Sequence, residues 1–458
     1  MHKLAIAGTG YNVMITGVCF AEMGHQVALL DADISKIVDQ EEEGGSLAFE
    51  PDLLRLIKKH LEAGRLTFQP DYAKACFESD AIFIGGGEDV SAEQQFQSLA
   101  VILRRISSSA SKDCLIAIQA TTPVGTCDRL EQYCAELPAN GFRMEIVANP
   151  QFCSKGTAIR NTLYARRVII GTESDWAKEL LTKIYKPFQA PILRVSRKSA
   201  EMIKLAANNL LAVKLSYMNE LANLCELSGA DIDEVTHGMS YDERIGISYL
   251  RVGIGYGGCG LPSDTKIFME LAERSGYGLK MVKAANEVNQ EQKLYLFQKA
   301  LSKLSEFKGK KIAILGLTYK PGTDDCREAP SIDNIKLLLE KGADLWAYDP
   351  VGINNFKKLF PEGRNGNGSI TYVENSVDAL IDAEACFIFT GWGKIKTIKP
   401  DMYRKLMKTP LVFDGRNLYP VADMQNAGAQ YYSVGRRKRE RSDLGQGAIL
   451  YKKTASHG

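Results

Sequence analysis

The sequence predicts an α/β protein in which two Rossmann-like, doubly wound domains are joined by a long central helix. Three observations lead to this fold. Short apolar runs alternate with helical segments in both halves of the chain. Each half contains a strand, a glycine-rich loop, a helix and a second strand that ends at an aspartate, Asp31 in the first half and Asp349 in the second. Between the halves, residues 198 to about 229 carry one uninterrupted helical pattern.

The N-terminal half opens with a βαβ unit. Residues 3–8 are predicted as a buried strand, 13–23 as a helix and 26–30 as the next strand. Further strand-like runs are Ala81–Ile84, Leu115–Ile118, Glu145–Ala148 and Arg167–Ile170. Helical segments lie between most of these runs, so we expect a parallel sheet with helices on both faces.

The rest of the chain suggests a central helical part and a second α/β unit. The central helix has a broad apolar face, which suits a link between domains or a dimer interface, and helices continue with interruptions through 264–303. A new strand begins near Lys310, and the later elements are a helix at 331–341 and strands at 344–348, 385–390 and 411–414. The expected domains are 1–197, 198–303 and 304–435, followed by a basic, irregular tail at 436–458.

Composition excludes several classes of protein. The chain has 458 residues, 45% hydrophobic and 24% charged, which is the profile of a soluble globular protein. A net charge of +2 gives no reason to expect nucleic acid or a membrane as partner. Ten cysteines without a CxxC pair predict neither a disulfide framework nor a metal site. The first residues run directly into a strand without a signal peptide, so we expect a cytoplasmic protein.

A glycine-rich turn predicts a dinucleotide site. Gly8 and Gly10 follow the first strand and open a helix, and Asp31 ends the second strand. The glycines allow close approach of a pyrophosphate to the helix N-terminus, and the carboxylate accepts hydrogen bonds from ribose hydroxyls and repels a 2′-phosphate. This favours NAD over NADP. Val13 replaces the third glycine of the motif, which displaces the helix slightly unless Gly17 compensates.

Two further segments carry catalytic residue types. Lys204 and Asn208 are four residues apart on the central helix, so both face the same side and can hold a developing oxyanion. Residues 255–264 (GYGGCGLPSD) combine a flexible glycine turn with Cys259, a potential nucleophile, and Asp264.

The chain resembles the nucleotide-sugar 6-dehydrogenases, the UDP-glucose/GDP-mannose dehydrogenase family. The opening family pattern GxGYVGxxxGxxxAexGHxVxxxDxD, the helix motif ExxKxxxN and the loop GGSCFPKD all have counterparts in this chain. The resemblance implies that 1–197 binds NAD, that 198–303 supplies the catalytic loop and a homodimer contact, and that 304–435 binds a UDP-sugar. It implies oxidation of the sugar C6 alcohol, with UDP-glucose to UDP-glucuronate as the default reaction.

The resemblance also implies roles for individual residues. The expected cofactor-binding residues are Gly8, Gly10, Tyr11, Asp31, Lys36, Thr121 and Arg327. The expected substrate-binding residues are Lys204, Asn208, Arg244, Tyr249, Gly257, Lys320 and Arg416, with Arg244 reaching a neighbouring subunit's substrate. The expected catalytic residues are Cys259, Lys204, Asn208, Asp264 and Thr121.

The chain departs from the family pattern at four places. The family's nucleophilic cysteine falls at Gly260, and Cys259 is one residue early. Gln151 and Lys155 replace the two glutamates of NPEFLxEG, the second of which handles water during thioester hydrolysis. The V-x-T-P element that borders the nicotinamide is 85-GGGE-88, and Ser263 replaces a loop lysine.

Three functions therefore remain open from the sequence. The chain is a four-electron UDP-sugar dehydrogenase that uses Cys259, an enzyme that stops after a two-electron oxidation, or a noncatalytic nucleotide-sugar-binding partner subunit. The departures fall on the thioester half of the family reaction, whereas the residues for alcohol oxidation are kept.

Overall fold

Two sheets, each covered by helices, are connected by a long helix in the computed structural model of the chain. The structure describes residues 1–8, 10–31, 50–86, 91–137 and 141–437. Lys36, Glu88 and the tail from 438 onward lie outside the described residues. Within the described residues, no helix is long and apolar enough to cross a membrane.

The N-terminal sheet contains the predicted strands and two that the sequence patterns did not indicate, β3 and β8. The strands are β1 Lys3–Ala7, β2 Gln26–Leu29, β3 Leu66–Phe68, β4 Ala81–Ile84, β5 Cys114–Ile118, β6 Met144–Ala148, β7 Val168–Gly171 and β8 Ile192–Val195. The helices are α1 Tyr11–Glu22, α2 Leu53–Glu62, α3 Tyr72–Glu78, α4 Ala92–Ser109, α5 Thr126–Glu136, α6 Ala158–Leu163 and α7 Asp175–Tyr185.

The strand order is β3-β2-β1-β4-β5-β6-β7-β8. Leu4 and Ile6 pack into the core on one face of the sheet and Ala5 and Ala7 into the core on the other, as expected for a doubly wound sheet. The order reverses between β1 and β4, so the loops after these strands form a crevice at the carboxyl edge.

The expectation of a parallel sheet is wrong at one place, because β7 runs antiparallel to β6. The connection between these strands contains only the six-residue helix α6. Most of this connection, residues 149–167, is loop, and α6 itself spans only about 9 Å, so it does not form the long crossover helix typical of a parallel βαβ unit.

The central part is helical, as predicted. Helix α8, Arg197–Ser228, begins at the cap Ser196, whose hydroxyl accepts from the Ser199 N–H, and ends at Gly229 with φ of 79°. The helices that follow are α9 Ile232–Ser240, α10 Gly260–Arg274, α11 Lys280–Lys293 and α12 Tyr295–Leu301.

The C-terminal sheet repeats the first in outline. Its strands are β9 Lys311–Leu315, β10 Asp344–Tyr348, β11 Gly363–Asn365, β12 Gly368–Tyr372, β13 Ala385–Ile388, β14 Leu411–Asp414 and β15 Gln430–Tyr432, in the order β11-β12-β10-β9-β13-β14-β15. Its helices are α13 Pro330–Glu340, α14 Ile353–Lys357, α15 Ser376–Leu380, α16 Gly393–Lys396, α17 Pro400–Leu406 and α18 Val421–Asn426. The prediction of two Rossmann-like domains joined by a central helix is confirmed.

Candidate active site

The glycine turn after β1 has the backbone that a dinucleotide site requires. Gly8 and Gly10 have φ of 108° and 95°, which side-chain-bearing residues rarely adopt. A Cβ at Gly8 would lie 2.1 Å from the Gly85 carbonyl oxygen, whereas a Cβ at Gly10 would meet nothing within 4 Å. Gly8 therefore packs two loops together, and the space over Gly10, at the N-terminus of α1, is open for a pyrophosphate.

Asp31 is held by three donors. Its Oδ2 accepts from the Gly8 N–H at 2.8 Å and from the Tyr72 hydroxyl at 2.7 Å, and its Oδ1 pairs with the Arg105 guanidinium at 3.0 Å. Burial and the bond to Asp31 raise the pKa of Tyr72. Sequence reasoning missed Tyr72 and Arg105, because neither lies in the nucleotide motif. A ribose hydroxyl would share Asp31 with these groups.

Val13 and Gly85 compensate for each other in the packing of α1 on the sheet. Val13 is 1% exposed, and a Cβ at Gly85 would lie 3.0 Å from its Cγ2. The family pattern has the small residue at position 13 and the branched one at position 85, so the two have exchanged sizes. A Cβ at Gly17 would lie 2.8 Å from Leu29 Cδ2, so Gly17 provides close packing of α1 on β2.

Tyr11, predicted to contact the cofactor, is hydrogen-bonded to Glu50. Glu50 is 4% exposed and also accepts from the Ile159 N–H at 3.0 Å, and the Tyr11 hydroxyl accepts from the Gly156 N–H at 3.3 Å. Burial and this carboxylate raise the pKa of Tyr11. The two residues thus join α1 to α6 and to the loop after β6. No sequence motif singled out Glu50.

Thr121 lies after β5, at the same edge of the sheet, and its carbonyl accepts from Gln95 Nε2 at 2.7 Å. The open space over Gly10, the Asp31 carboxylate and Thr121 lie at the carboxyl ends of β1, β2 and β5. This arrangement fits NAD, whose pyrophosphate, ribose and nicotinamide these groups would hold in turn.

Two of the three residues predicted to surround the reacting carbon are hydrogen-bonded to each other, and the third lies one helical turn before Asn208 on α8. Asn208 Nδ2 donates to Asp264 Oδ2, and the Asp264 side chain is 4% exposed. Asn209 Nδ2 donates to the Asp264 carbonyl at 3.3 Å. Lys204, 9% exposed, points its Nζ at the Phe152 ring, 5.4 Å from the centroid. Helices α8 and α10 therefore bring the Asn208 amide to the Asp264 carboxylate, and the spacing of Lys204 and Asn208 puts the ammonium on the same face of α8.

Glu201, on the same helix, has a positioning role that the sequence did not reveal. Its carboxylate accepts from the Gly125 N–H at 2.6 Å, the Cys127 N–H at 2.8 Å and the Thr122 hydroxyl at 3.3 Å. It thereby caps α5 and ties the loop that carries Thr121 to the catalytic helix. Burial raises the pKa of Glu201.

Cys259 is the N-cap residue of α10, with φ of −79° and ψ of −27° and no capping hydrogen bond from its side chain. Gly260 is the first helical residue, and a Cβ there would meet nothing within 4 Å. Gly260 and Asp264 are four residues apart and share a helix face, whereas Cys259 is five residues from Asp264 and about 140° away around the axis. The residue that shares the Asp264 face therefore has no thiol.

The glycines before Cys259 pack against the C-terminal half. A Cβ at Gly257 would lie 2.1 Å from the Glu328 carbonyl oxygen, and one at Gly258 would lie 2.7 Å from the Tyr319 ring. The Gly258 N–H donates to the Arg327 carbonyl at 2.8 Å. Close backbone packing accounts for Gly257, and its contact with substrate stays a prediction.

Lys155, which replaces a family glutamate, pairs with a carboxylate from the other domain. Its Nζ lies 3.0 Å from Asp325 Oδ2, and the Arg327 guanidinium donates to the same carboxylate at 2.6 Å. Burial alone raises the pKa of Asp325, but the Arg327 hydrogen bonds and the Lys155 charge hold it at about 2. Lys320 donates to Ser154 Oγ at 2.7 Å, and burial lowers the pKa of Lys320. Arg327 and Lys320 thus lie where the two domains meet, and their contacts with cofactor and substrate stay predictions.

Arg416 is bound by backbone carbonyls. It donates to Phe389 O at 2.7 Å, Gly255 O at 3.2 Å and Tyr319 O at 3.4 Å. Burial lowers the pKa of Arg416 to about 10. A cation in this setting is stabilised by an anion, and the contact of Arg416 with substrate stays a prediction.

Arg244 and Tyr249 are not brought to the catalytic cluster within one chain. The Arg244 side chain is 89% exposed and pairs with Asp242 at 2.6 Å. Tyr249 is 44% exposed and has φ of 63°. The contact of Arg244 with a neighbouring subunit's substrate stays a prediction.

Three family models match successive parts of the chain. Residues 2–189 match the NAD-binding domain of the UDP-glucose/GDP-mannose dehydrogenase family, 198–291 its central domain and 313–421 its UDP-binding domain. The chain belongs to this family. The predictions of NAD as cofactor and of a UDP-sugar as ligand are confirmed.

Relatives within the UDP-glucose/GDP-mannose dehydrogenase family span nearly the whole chain. A UDP-glucose 6-dehydrogenase of Bacillus subtilis is 38% identical over 437 residues, 95% of this chain and 98% of the relative. One from Pseudomonas aeruginosa is 34% identical over 446 residues, 95% of this chain and 97% of the relative. The solved UDP-glucose dehydrogenase of Pyrobaculum islandicum superimposes with a TM-score of 0.84 at 28% identity, over 96% of this chain and 98% of that one.

Proposed function

We propose that this NAD-dependent family member oxidises the C6 alcohol of UDP-glucose to the aldehyde and stops after this two-electron step. The names of the relatives support the substrate, since the similar proteins from Bacillus subtilis and Pseudomonas aeruginosa are UDP-glucose 6-dehydrogenases. The observation that carries the proposal is the intact Lys204–Asn208–Asp264 cluster beside a helix face that has Gly260 in the thiol position.

The cluster can perform the alcohol step. The Asp264 carboxylate, oriented by Asn208, accepts the proton of the C6 hydroxyl, and the Lys204 ammonium stabilises the developing alkoxide. NAD supplies the acceptor for the hydride that leaves C6. One C–H and one O–H bond break, a C=O bond forms, and the products are the aldehyde, NADH and a proton.

The second oxidation lacks its residues. Conversion of an aldehyde to a thioester needs a thiol within bonding distance of C6 and a group that prepares water for hydrolysis. Cys259 lies on a different side of α10 from Asp264. At the position assigned to water, Lys155 carries a positive charge and is bound to Asp325.

A second candidate is the complete four-electron oxidation through Cys259. It is favoured by the position of this half-buried thiol at the N-terminus of α10, near enough to Lys320 to raise the pKa of that lysine against the effect of burial. A thiolate beside a lysine is activated as a nucleophile. A noncatalytic partner subunit is disfavoured, because the groups for hydride removal are assembled.

Product analysis distinguishes these functions. The chain is incubated with UDP-glucose, NAD and hydroxylamine, which traps an aldehyde as its oxime, and the products are identified by mass spectrometry. We expect the oxime of the UDP-hexodialdose and one NADH per sugar. Free UDP-glucuronate as the main product supports the four-electron candidate. If no NADH forms, both the two-electron and the four-electron functions are excluded. Asn208→Ala abolishes turnover, whereas Arg364→Ala, an exposed change on β11, is the matched control.

We also propose that the protein is a cytoplasmic homodimer. Leu210, Tyr217, Leu224 and Leu227 on α8 are 55–86% exposed, which suits burial against a second copy. Ten cysteines without the spacing of a disulfide framework support a reducing compartment. Light scattering of the purified chain tests the proposed homodimer. A molar mass equal to that of the monomer at micromolar concentration would exclude it.

A further inference from the structure

A large cavity opens beside, and not within, the catalytic cluster. It has a volume of about 870 Å³ and lies in the N-terminal domain among α1, the loop after β6, α6 and the connection from α7 to β8. Its volume is that of a small-molecule site, which falls roughly between 300 and 1,000 Å³. Gln151 and Phe152 line it, but Lys204, Asn208, Cys259 and Asp264 do not.

The charge of this cavity is one-sided. Its lining includes Arg160, Arg166 and Arg167, and no Asp or Glu among the described residues. No described carboxylate lies within ion-pair distance of any of the three. Arg160 and Arg166 are exposed, and Arg167 is partly buried with its guanidinium 4.0 Å from the Phe152 ring centroid. Three arginines that line one cavity, with no Asp or Glu in its described lining, favour an anion as its occupant.

The inner wall is polar and uncharged. Gln119 Nε2 donates to Asn149 Oδ1 and to the Tyr185 hydroxyl, both at 3.4 Å, and Tyr185 donates to Asn149 at 2.5 Å. Gln151 Nε2 donates to Thr16 Oγ1. The family pattern has glutamate at position 151, where a carboxylate would reduce the positive charge of the cavity. The glutamine in this chain leaves that charge intact.

We propose that this cavity is an accessory binding site for a small phosphate-bearing molecule, with the phosphate held by Arg160, Arg166 and Arg167. The site adjoins the catalytic cluster through Phe152, whose ring is contacted by Arg167 from the cavity and by Lys204 from the catalytic helix. Binding there is independent of the extent of sugar oxidation, so the test uses no turnover.

The test is calorimetric titration of inorganic pyrophosphate into the full chain already saturated with NAD and UDP, which occupy the other two anion sites. We expect saturable binding of one pyrophosphate per chain, weakened at least tenfold in the Arg160→Ala/Arg166→Ala variant. Both side chains are exposed, so circular dichroism should show an unchanged fold. The control Arg364→Ala, which also removes an exposed arginine, should bind as the unmodified chain does. Absence of saturable binding, or equal affinity in the double variant, overturns the proposal.

Discussion

Gly260→Cys is the substitution that most sharply tests the assignment of the thiol position. Cys259 and Gly260 are successive residues with helical geometry at the start of α10, so their side chains are about 100° apart. At a side-chain radius of about 5 Å, that rotation displaces a sulfur atom by about 8 Å. Since a misplacement of about 1 Å already costs roughly 100-fold, Cys259 cannot replace a thiol at position 260 without a rearranged loop.

The introduced thiol should fit without strain. A Cβ at Gly260 meets nothing within 4 Å, and Gly260 is not among the residues with positive φ. Replacing glycine in a helix is favourable by up to about 1 kcal/mol, so we expect an equal or slightly higher unfolding midpoint in urea. A change in activity will therefore report on chemistry and not on folding.

We expect Gly260→Cys to form a second NADH, limited to one per active site, together with a covalent thioester of the UDP-sugar. Hydrolysis should be slow because Lys155 is a cation bound to Asp325 where the family pattern has a carboxylate. Rapid-quench NADH measurement and intact-protein mass spectrometry detect both products, with Gly260→Ser as the control of similar size. If Gly260→Cys forms neither the second NADH nor the adduct, position 260 does not face C6. Continuous release of UDP-glucuronate would contradict the role assigned to Lys155.

Three further predictions follow from packing and charge. Gly85→Val should lower the free energy of unfolding by about 1–3 kcal/mol, because the added side chain overpacks against Val13. In a Val13→Gly background the same substitution should lower it by at least 1 kcal/mol less. A double-mutant cycle in which the two effects simply add would disprove the compensation. The pKa of Asp325 is about 2, below the usual 3.8 of an aspartate. The ionised Asp325 carboxylate therefore contributes its full share to the stability of the fold above pH 3.8, and this contribution is lost as the pH falls through 2. Lys155→Gln should raise the pKa of Asp325 and lower the free energy of unfolding by roughly 1 kcal/mol at pH 7. It should also reduce the loss of stability between about pH 4 and pH 2. An unchanged curve of stability against pH argues against the Lys155–Asp325 ion pair. Arg244→Ala should leave the unfolding midpoint unchanged and raise KM for UDP-glucose about tenfold with little effect on kcat, since Arg244 is exposed in its own chain; an unchanged KM excludes its contact with substrate.

The sequence predicted the fold well because apolar periodicity marks buried elements directly. The strands at 81–84 and 344–348 and the helix that begins near 198 appear within a residue of their expected positions. The three-residue strands β3 and β15 did not stand out, because such short runs carry no recognisable alternation. The strand β7 was predicted but its antiparallel direction was not, because an apolar run marks a strand without indicating its direction.

The candidate site could be predicted where a motif fixes a local geometry. Lys204 and Asn208 share a helix face by spacing alone, and Asp264, which the family resemblance implied, is hydrogen-bonded to Asn208 from α10. Glu201 and Asp325 act across distances of 74 and 170 residues along the chain, so no local pattern could identify their partners.

The compensation between Val13 and Gly85 was visible in the sequence only as two separate departures. The structure shows that the two positions are in contact, because a Cβ built on Gly85 would lie 3.0 Å from Val13 Cγ2. The arginine-lined cavity had no sequence signal, because its lining residues come from four separate segments of the N-terminal domain.

The most direct measurement of the two-electron mechanism is the fate of deuterium in UDP-[6,6-²H₂]glucose. A two-electron oxidation through the Lys204–Asn208–Asp264 cluster transfers one deuteride to NAD and leaves an aldehyde that retains the other. We expect one deuterated NADH per sugar and a product with one deuterium at C6. Two deuterated NADH per sugar and a carboxylate without deuterium would show that the chain completes the four-electron reaction, and would contradict the roles assigned to Gly260 and Lys155.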